Sequence, residues 1–219
     1  MRKLILKMSV SVDGFVGGPN GEIDWIFRSM DKSAAKWTVG VIWQAGVHIM
    51  GSRTFHDMAA YWPYSDEIFA APMNEIPKVV FSKNSSIKNS GEELTTRAFE
   101  DASKINKPEG LKTSTQNLAT WTNAAVAAGD LKEEIIRLKQ QPGKDILAHG
   151  GATFAQSLVR TGLIDEYQLL VHPVALGAGL PLFSALPEPI DLKLVSATMF
   201  GSGAVAHVYQ PQPPLNLPR

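Results

Sequence analysis

The chain has 219 residues, 44% of them apolar and 19% charged, which suits a single domain with a sizeable core and is unlike the composition of disordered chains. Lysine plus arginine and aspartate plus glutamate are balanced at 21 each, so the basic excess that nucleic-acid binders use against phosphate is missing. Cysteine is absent, which removes disulfides, thiolate metal sites and cysteine nucleophiles together.

Lys7 interrupts the apolar run after Leu4-Ile-Leu6, too early for a signal peptide. No segment approaches the roughly 18 apolar residues of a membrane span. A cytoplasmic protein, engaging neither membrane nor nucleic acid, is the expectation by elimination. In chain order, residues 3–10 alternate Leu4, Leu6, Met8 and Val10 against polar partners and read as a strand. A glycine-rich turn region follows, and 31–45 carries apolar residues at helical spacing with Asp31 as its cap. Val47 to Met50 is a short strand ending at Gly51, Ser52 opens a helix to Ala60, and 78–82 is another strand. Residues 84–120 show no sustained apolar period and read as an insertion, with a helical turn near 98–105. A strand over 121–127, an Asp130-capped helix to Gln140, a strand at 145–149 and a helix at 152–160 come next. Strand 165–174 and a hairpin of 192–199 with 204–210 complete a single domain over 1–210, and a Pro-rich flexible tail occupies 211–219. Strands separated by helices imply a largely parallel central sheet, here closed by an antiparallel C-terminal hairpin.

Two junctions carry chemistry. In Ile146-Leu-Ala-His-Gly-Gly-Ala-Thr-Phe154 an apolar strand runs into two glycines and then a helix. Backbone amides at such a turn approach a phosphate closely, and the helix N-terminus adds partial positive charge. His48-Ile-Met-Gly-Ser-Arg-Thr-Phe55 repeats the arrangement, with Arg53 able to pair with phosphate and Ser52 and Thr54 able to donate or cap. Either junction alone reads equally well as an ordinary turn and a capped helix. Together they point to a diphosphate between two helix N-termini at the carboxyl edge of the sheet. The five histidines show no metal-ligand spacing.

The segments Lys7-Met-Ser-Val-Ser-Val-Asp-Gly-Phe15, Ile49-Met-Gly-Ser-Arg-Thr-Phe55, Val79-Val-Phe-Ser-Lys83 and Asp145-Ile-Leu-Ala-His-Gly-Gly-Ala-Thr153 resemble dihydrofolate reductases in content and order. They are still more similar to the reductase domain of bacterial riboflavin biosynthesis and its stand-alone relatives, as is the long strand from Leu163 to Gly179. The resemblance implies an α/β, dihydrofolate reductase-like fold with helices on both faces of the sheet. It further implies NADPH as hydride donor and reduction of a C=N or C=O bond in a pyrimidine or related small molecule, as in 5-amino-6-(5-phosphoribosylamino)uracil reduction. Dihydrofolate reductase and a non-catalytic nucleotide-binding protein are the alternatives. Carried over by position, Gly51, Ser52, Arg53, Thr54, Gly150, Gly151, Ala152, Thr153 and Phe154 would hold the cofactor phosphates, and Ser82 and Lys83 the adenosine ribose. Val10, Phe15, Trp25 and Asp31 would meet the substrate, and Asp13 would supply the proton as the catalytic residue. The family habit also implies a homodimer, with the apolar strand 165–174 near its interface.

Overall fold

The computed structural model describes residues 1–82 and 115–213. Lys83, the turn expected near 98–105, most of the 84–120 segment and the tail from 214 onward lie outside the described residues.

Strand β1 (Leu4–Ser11) runs parallel between β6 (Asp145–Ala148) and β7 (Glu166–His172). On the far side of β6 lies β3 (Ala45–Gly51), followed by β4 (Lys78–Phe81) and β5 (Ala125–Ala127), all parallel. Beyond β7 the antiparallel hairpin of β10 (Val205–Pro211) and β9 (Leu192–Met199) closes the sheet. The described eight-stranded order is β5-β4-β3-β6-β1-β7-β10-β9. This is the mostly parallel sheet with a C-terminal hairpin that the sequence predicts. Short strands β2 (Phe15–Gly17) and β8 (Leu180–Pro181) pair separately and have no signature in the sequence pattern.

Strand alternation sends side chains to two cores. Leu4, Leu6, Met8, Ile146 and Ala148 meet helix α5 (Leu131–Gln140) and α6 (Ala152–Thr161) through Ile135, Leu138, Leu158 and Val159. Ile5, Leu147, Met50 and Val80 face the other way. They meet α1 (Lys32–Gln44), α2 (Ser52–Tyr61), α3 (Ala70–Glu75) and α4 (Thr115–Thr122) through Val41, Phe55, Met73 and Trp121. Helices therefore cover both faces.

One sequence expectation needs correction. The strand expected over 121–127 begins only at Ala125, because Trp121 belongs to α4. Its indole donates 2.8 Å to Asn74 Oδ1 and packs 5.5 Å from the Phe55 ring, so tertiary anchoring and not apolar period decides this segment. Strand β7 has both edges paired, to β1 and β10. The exposed apolar side chains of this region are Leu194, Val195 and Met199 on β9.

Lys78 is buried in β4. Its ammonium donates to Ile76 O at 2.8 Å and to Thr120 Oγ1 at 2.6 Å, and lies 4.3 Å from the Trp121 ring centre. It thus fastens α4 and the end of α3 to the sheet. Burial pushes the amine down to about 7 from its ordinary 10.5. The unfolded chain then holds one more proton than the folded chain between those two values, so stability rises with pH across that window. Chemical denaturation at pH 7 and pH 9.5 should show this rise in the wild type and a smaller one in Lys78→Met. Equal slopes in the two proteins would remove Lys78 as its source.

Candidate functional site

β3 and β6 are neighbours in the sheet; β3 ends at Gly51 directly before α2, and β6 continues through His149 to Gly150 and Gly151 before α6. The two junctions therefore open side by side at the carboxyl edge, as the sequence predicts. A Cβ on Gly151 would stand 2.8 Å from Thr54 Oγ1, and one on Gly51 would stand 3.4 Å from Phe154 Cβ. Each junction thus reaches the first turn of the other's helix. Neither α2 nor α6 has a side-chain cap at its start. By contrast, Asp31 caps α1 through Ala34 N and Asp130 caps α5 through Lys132 N and Glu133 N. Two ten-residue helices thus present uncapped N–H groups to one space, an arrangement that attracts an anion.

That space is a cavity of about 1180 Å³. Of the expected cofactor residues, Gly51, Arg53, Thr54, Ser82 and Gly150 through Phe154 line it; Ser52 does not. The expected substrate residues lie elsewhere. Trp25 is buried, donating from its indole to Glu22 O at 3.0 Å and meeting the His172 ring edge-on at 5.4 Å. Val10 belongs to the core, Phe15 packs beside Gly179, and Asp31 joins the start of α1 to Ser202 N at 2.8 Å. Three hydrogen bonds to Asp31, first from the Ser33 hydroxyl, hold its carboxyl below the usual range. Asp13 also stands outside the lining. It accepts from Ser11 Oγ at 2.6 Å, Leu176 N at 3.1 Å and Gly177 N at 2.7 Å, joining the loops after β1 and β7. These bonds, the Ser11 hydroxyl foremost, hold its carboxyl down at about 2.

A row of bases on one face of the sheet had no counterpart in the sequence reading. Lys78 is in register with His48, whose ring lies 4.5 Å from that of His149, and Lys7 follows on β1. Burial, then the charges of Lys7 and Lys78, push His149 down to about 3, and desolvation pushes Lys7 down to about 8. His149 is therefore neutral at physiological pH, and its Nε2 is buried without a hydrogen-bond partner. Lys7 and His149 line the cavity floor, and Lys7 and Arg53 are the Lys and Arg residues among its described lining. The one sequence sign of Lys7 is a charged residue in a strand that leads directly into the Asp13-Gly14 turn.

Gly151→Val would drive a branched side chain against Thr54, between the two helix starts. If the cleft takes the NADPH that the resemblance implies, the variant should bind it about tenfold or more weakly while the melting temperature stays near that of the wild type. Unchanged affinity in a folded variant would return Gly150 and Gly151 to the role of turn residues.

Comparison with known proteins agrees with this architecture. The model of the RibD C-terminal domain family matches residues 2–206. The uncharacterized protein YyaP of Bacillus subtilis is 32% identical over 209 residues, covering 95% of this chain and 94% of its own. The fold is shared with a putative riboflavin biosynthesis protein from Shewanella sp. PV-4, at TM-score 0.67 and 18% identity, covering 97% of this chain and all of that one. It is also shared with the Enterococcus faecalis dihydrofolate reductase complexed with NADP(H), at TM-score 0.57 and 12% identity over 96% of this chain and 97% of that one. The chain therefore belongs to the RibD C-terminal domain family, a family of reductases.

Proposed function

We propose that the protein is an NADPH-dependent reductase that adds hydride to a C=N or C=O bond of a pyrimidine or related heterocycle. The observation that carries this reading is the pair of uncapped helix N-termini meeting across Gly51 and Gly151. The residues fit the cofactor. The amides of Gly51 and Gly150 through Phe154 with Thr54 would hold the diphosphate, Arg53 the adenosine phosphate, and Ser82 the ribose. When bound, the cofactor supplies the hydride. The chain's own part is to orient the two reactants, keep water out, and deliver a proton to the nitrogen or oxygen of the reduced bond.

Two groups compete for the proton. Lys7 lines the cavity and, with an amine near 8, is mostly protonated at neutral pH. Asp13 is outside the lining and fully engaged by its three donors. Lys7 is the better donor, and Asp13 is better suited to holding the loop beside it. Lys7→Met should lower kcat by roughly 10²–10⁴-fold, the usual scale of general-acid catalysis, with NADPH affinity unchanged. Asp13→Asn should stay within about threefold of wild type, well under that scale. The reverse pattern would assign the proton to Asp13. The sign of the pH dependence follows from Lys7: a donor that loses its proton near 8 should give a kcat that falls above that pH.

The test of the reading itself is cofactor titration followed by NADPH oxidation with candidate heterocycles. One charge-assisted hydrogen bond contributes about 1.5–3 kcal/mol, so Arg53 alone should favour NADPH over NADH by about tenfold or more. Equal dissociation constants would show that Arg53 does not meet the adenosine phosphate.

A further inference from the structure

The cavity has two halves of different chemistry. Around the starts of α2 and α6 it is lined by Gly51, Gly150 and Gly151 together with Arg53, Thr54 and Thr153. Away from them it is bounded by the 3-10 turn Asp24–Ser29, by α1, by the face of α2 that carries Asp57, Met58 and Tyr61, and by the segment leading into α3. Its wall there is apolar and aromatic: Ile23, Phe27, Met30, Tyr61, Trp62 and Phe69.

Ile23, Phe27 and Tyr61 are 51%, 69% and 50% exposed. The Trp62 ring meets Tyr61 edge-on at 4.9 Å and Phe69 at 6.1 Å. Large apolar groups left open around one concavity mark a surface that a ligand covers. An aromatic trio of this kind suits a flat ring or a benzyl-like group.

The charges on this side are of the wrong sign for a phosphate. Asp57 and Glu67 both line it, and Glu67 accepts the Tyr61 hydroxyl. Arg53 stands in the first turn of α2, with the proposed cofactor phosphates, which leaves Lys7 on the floor as the one lysine or arginine of the described lining there. A phosphate ester carries between one and two negative charges near pH 7. It would face two carboxylates and the cofactor's own phosphates, with no arginine fork among the described residues of that end to receive it.

We infer that the substrate end of this cavity takes a planar, unphosphorylated heteroaromatic compound with an apolar substituent. The ring carbonyl or imine lies toward Lys7, and the substituent lies against Phe27, Trp62 and Phe69. This rests on the reductase reading for what happens to the ring, but the preference belongs to the wall and is measurable without turnover.

Three probes with one ring test it: a benzylamino-uracil, a ribitylamino-uracil, and the phosphate ester of the latter. Each is titrated calorimetrically into the full chain, once saturated with NADP⁺ and once alone. The benzylamino compound should bind at least about tenfold more tightly than the phosphate ester. Phe27→Ser, at an exposed position, should shrink that ratio, and Glu67→Gln should strengthen binding of the ester. An ester that binds as well as or better than the benzylamino compound overturns the inference, as does failure of all three to bind. A chain that ignores NADPH and NADP⁺ ends the reductase reading instead, and the ratio measured without cofactor still decides this one.

Discussion

Strands β3 and β6 lie next to each other and point the same way, and most of what the site can do follows from that adjacency. Each strand delivers the start of a helix, and each start carries about half a positive charge in unsatisfied N–H groups. Two such ends brought together repel, and burying their donors without partners is costly. Elsewhere the fold avoids this cost with an aspartate, as at Asp31 and Asp130. At the site it uses glycine instead. The contact distances give the reason, since any side chain on Gly151 would press on Thr54 and one on Gly150 would collide with the sulfur of Met8. An anion seated between the two ends satisfies the donors and removes the repulsion together, so the geometry is stable in the way that ligand-binding geometry often is, with its deficit reserved for the ligand.

The bases beneath the cavity follow the same logic. His48 and His149 come from the two strands that make the junctions, with Lys78 and Lys7 on the strands flanking them. Burial disfavours the charged form of each, and at His48 and His149 the neighbouring charges add to the effect. The outcome differs by position. Lys78 is held by two oxygens and an aromatic face and anchors α4. His149 is a neutral imidazole, able to donate or accept without bringing charge into the cavity. Lys7 remains mostly charged at neutral pH, and it sits midway along β1, the strand whose following loop Asp13 fastens to the exit of β7. The carboxylate ties two loops together, and the amine stands among the residues that line the cavity.

Backbone-determined features were the legible ones. A Gly after an apolar strand, an Asp before an amphipathic run and a Gly-Ser-Gly between two strands each constrain the local chain, and the junctions at Gly51 and Gly150, the caps Asp31 and Asp130, and the β9–β10 hairpin all appear in the fold. Features set by packing were not legible. Lys7 falls on the polar beat of β1, which in a half-exposed strand means solvent. β1 is central, between β6 and β7, so its second face is covered too, and the same residue reaches the cavity. Trp25, which the resemblance puts against the substrate, instead fills the space against His172. Strand order and the far partner of a large side chain are tertiary facts, and local pattern holds no trace of them.

This division also bears on how such a site changes. Where the recognising groups are amides at helix starts, side chains can be replaced freely provided the glycines and the strand order persist. Structures only 18% identical can therefore superpose over nearly the whole chain without implying the same substrate. The opposite half of the cavity is made of side chains on the 3-10 turn, α1, α2 and the approach to α3. A change of charge or size there, as at Asp57, Glu67 or Trp62, leaves the sheet and its two helix starts untouched. On the proposed reading, what the ring is joined to rests on these few residues, and the hold on the cofactor's diphosphate rests on the backbone across from them.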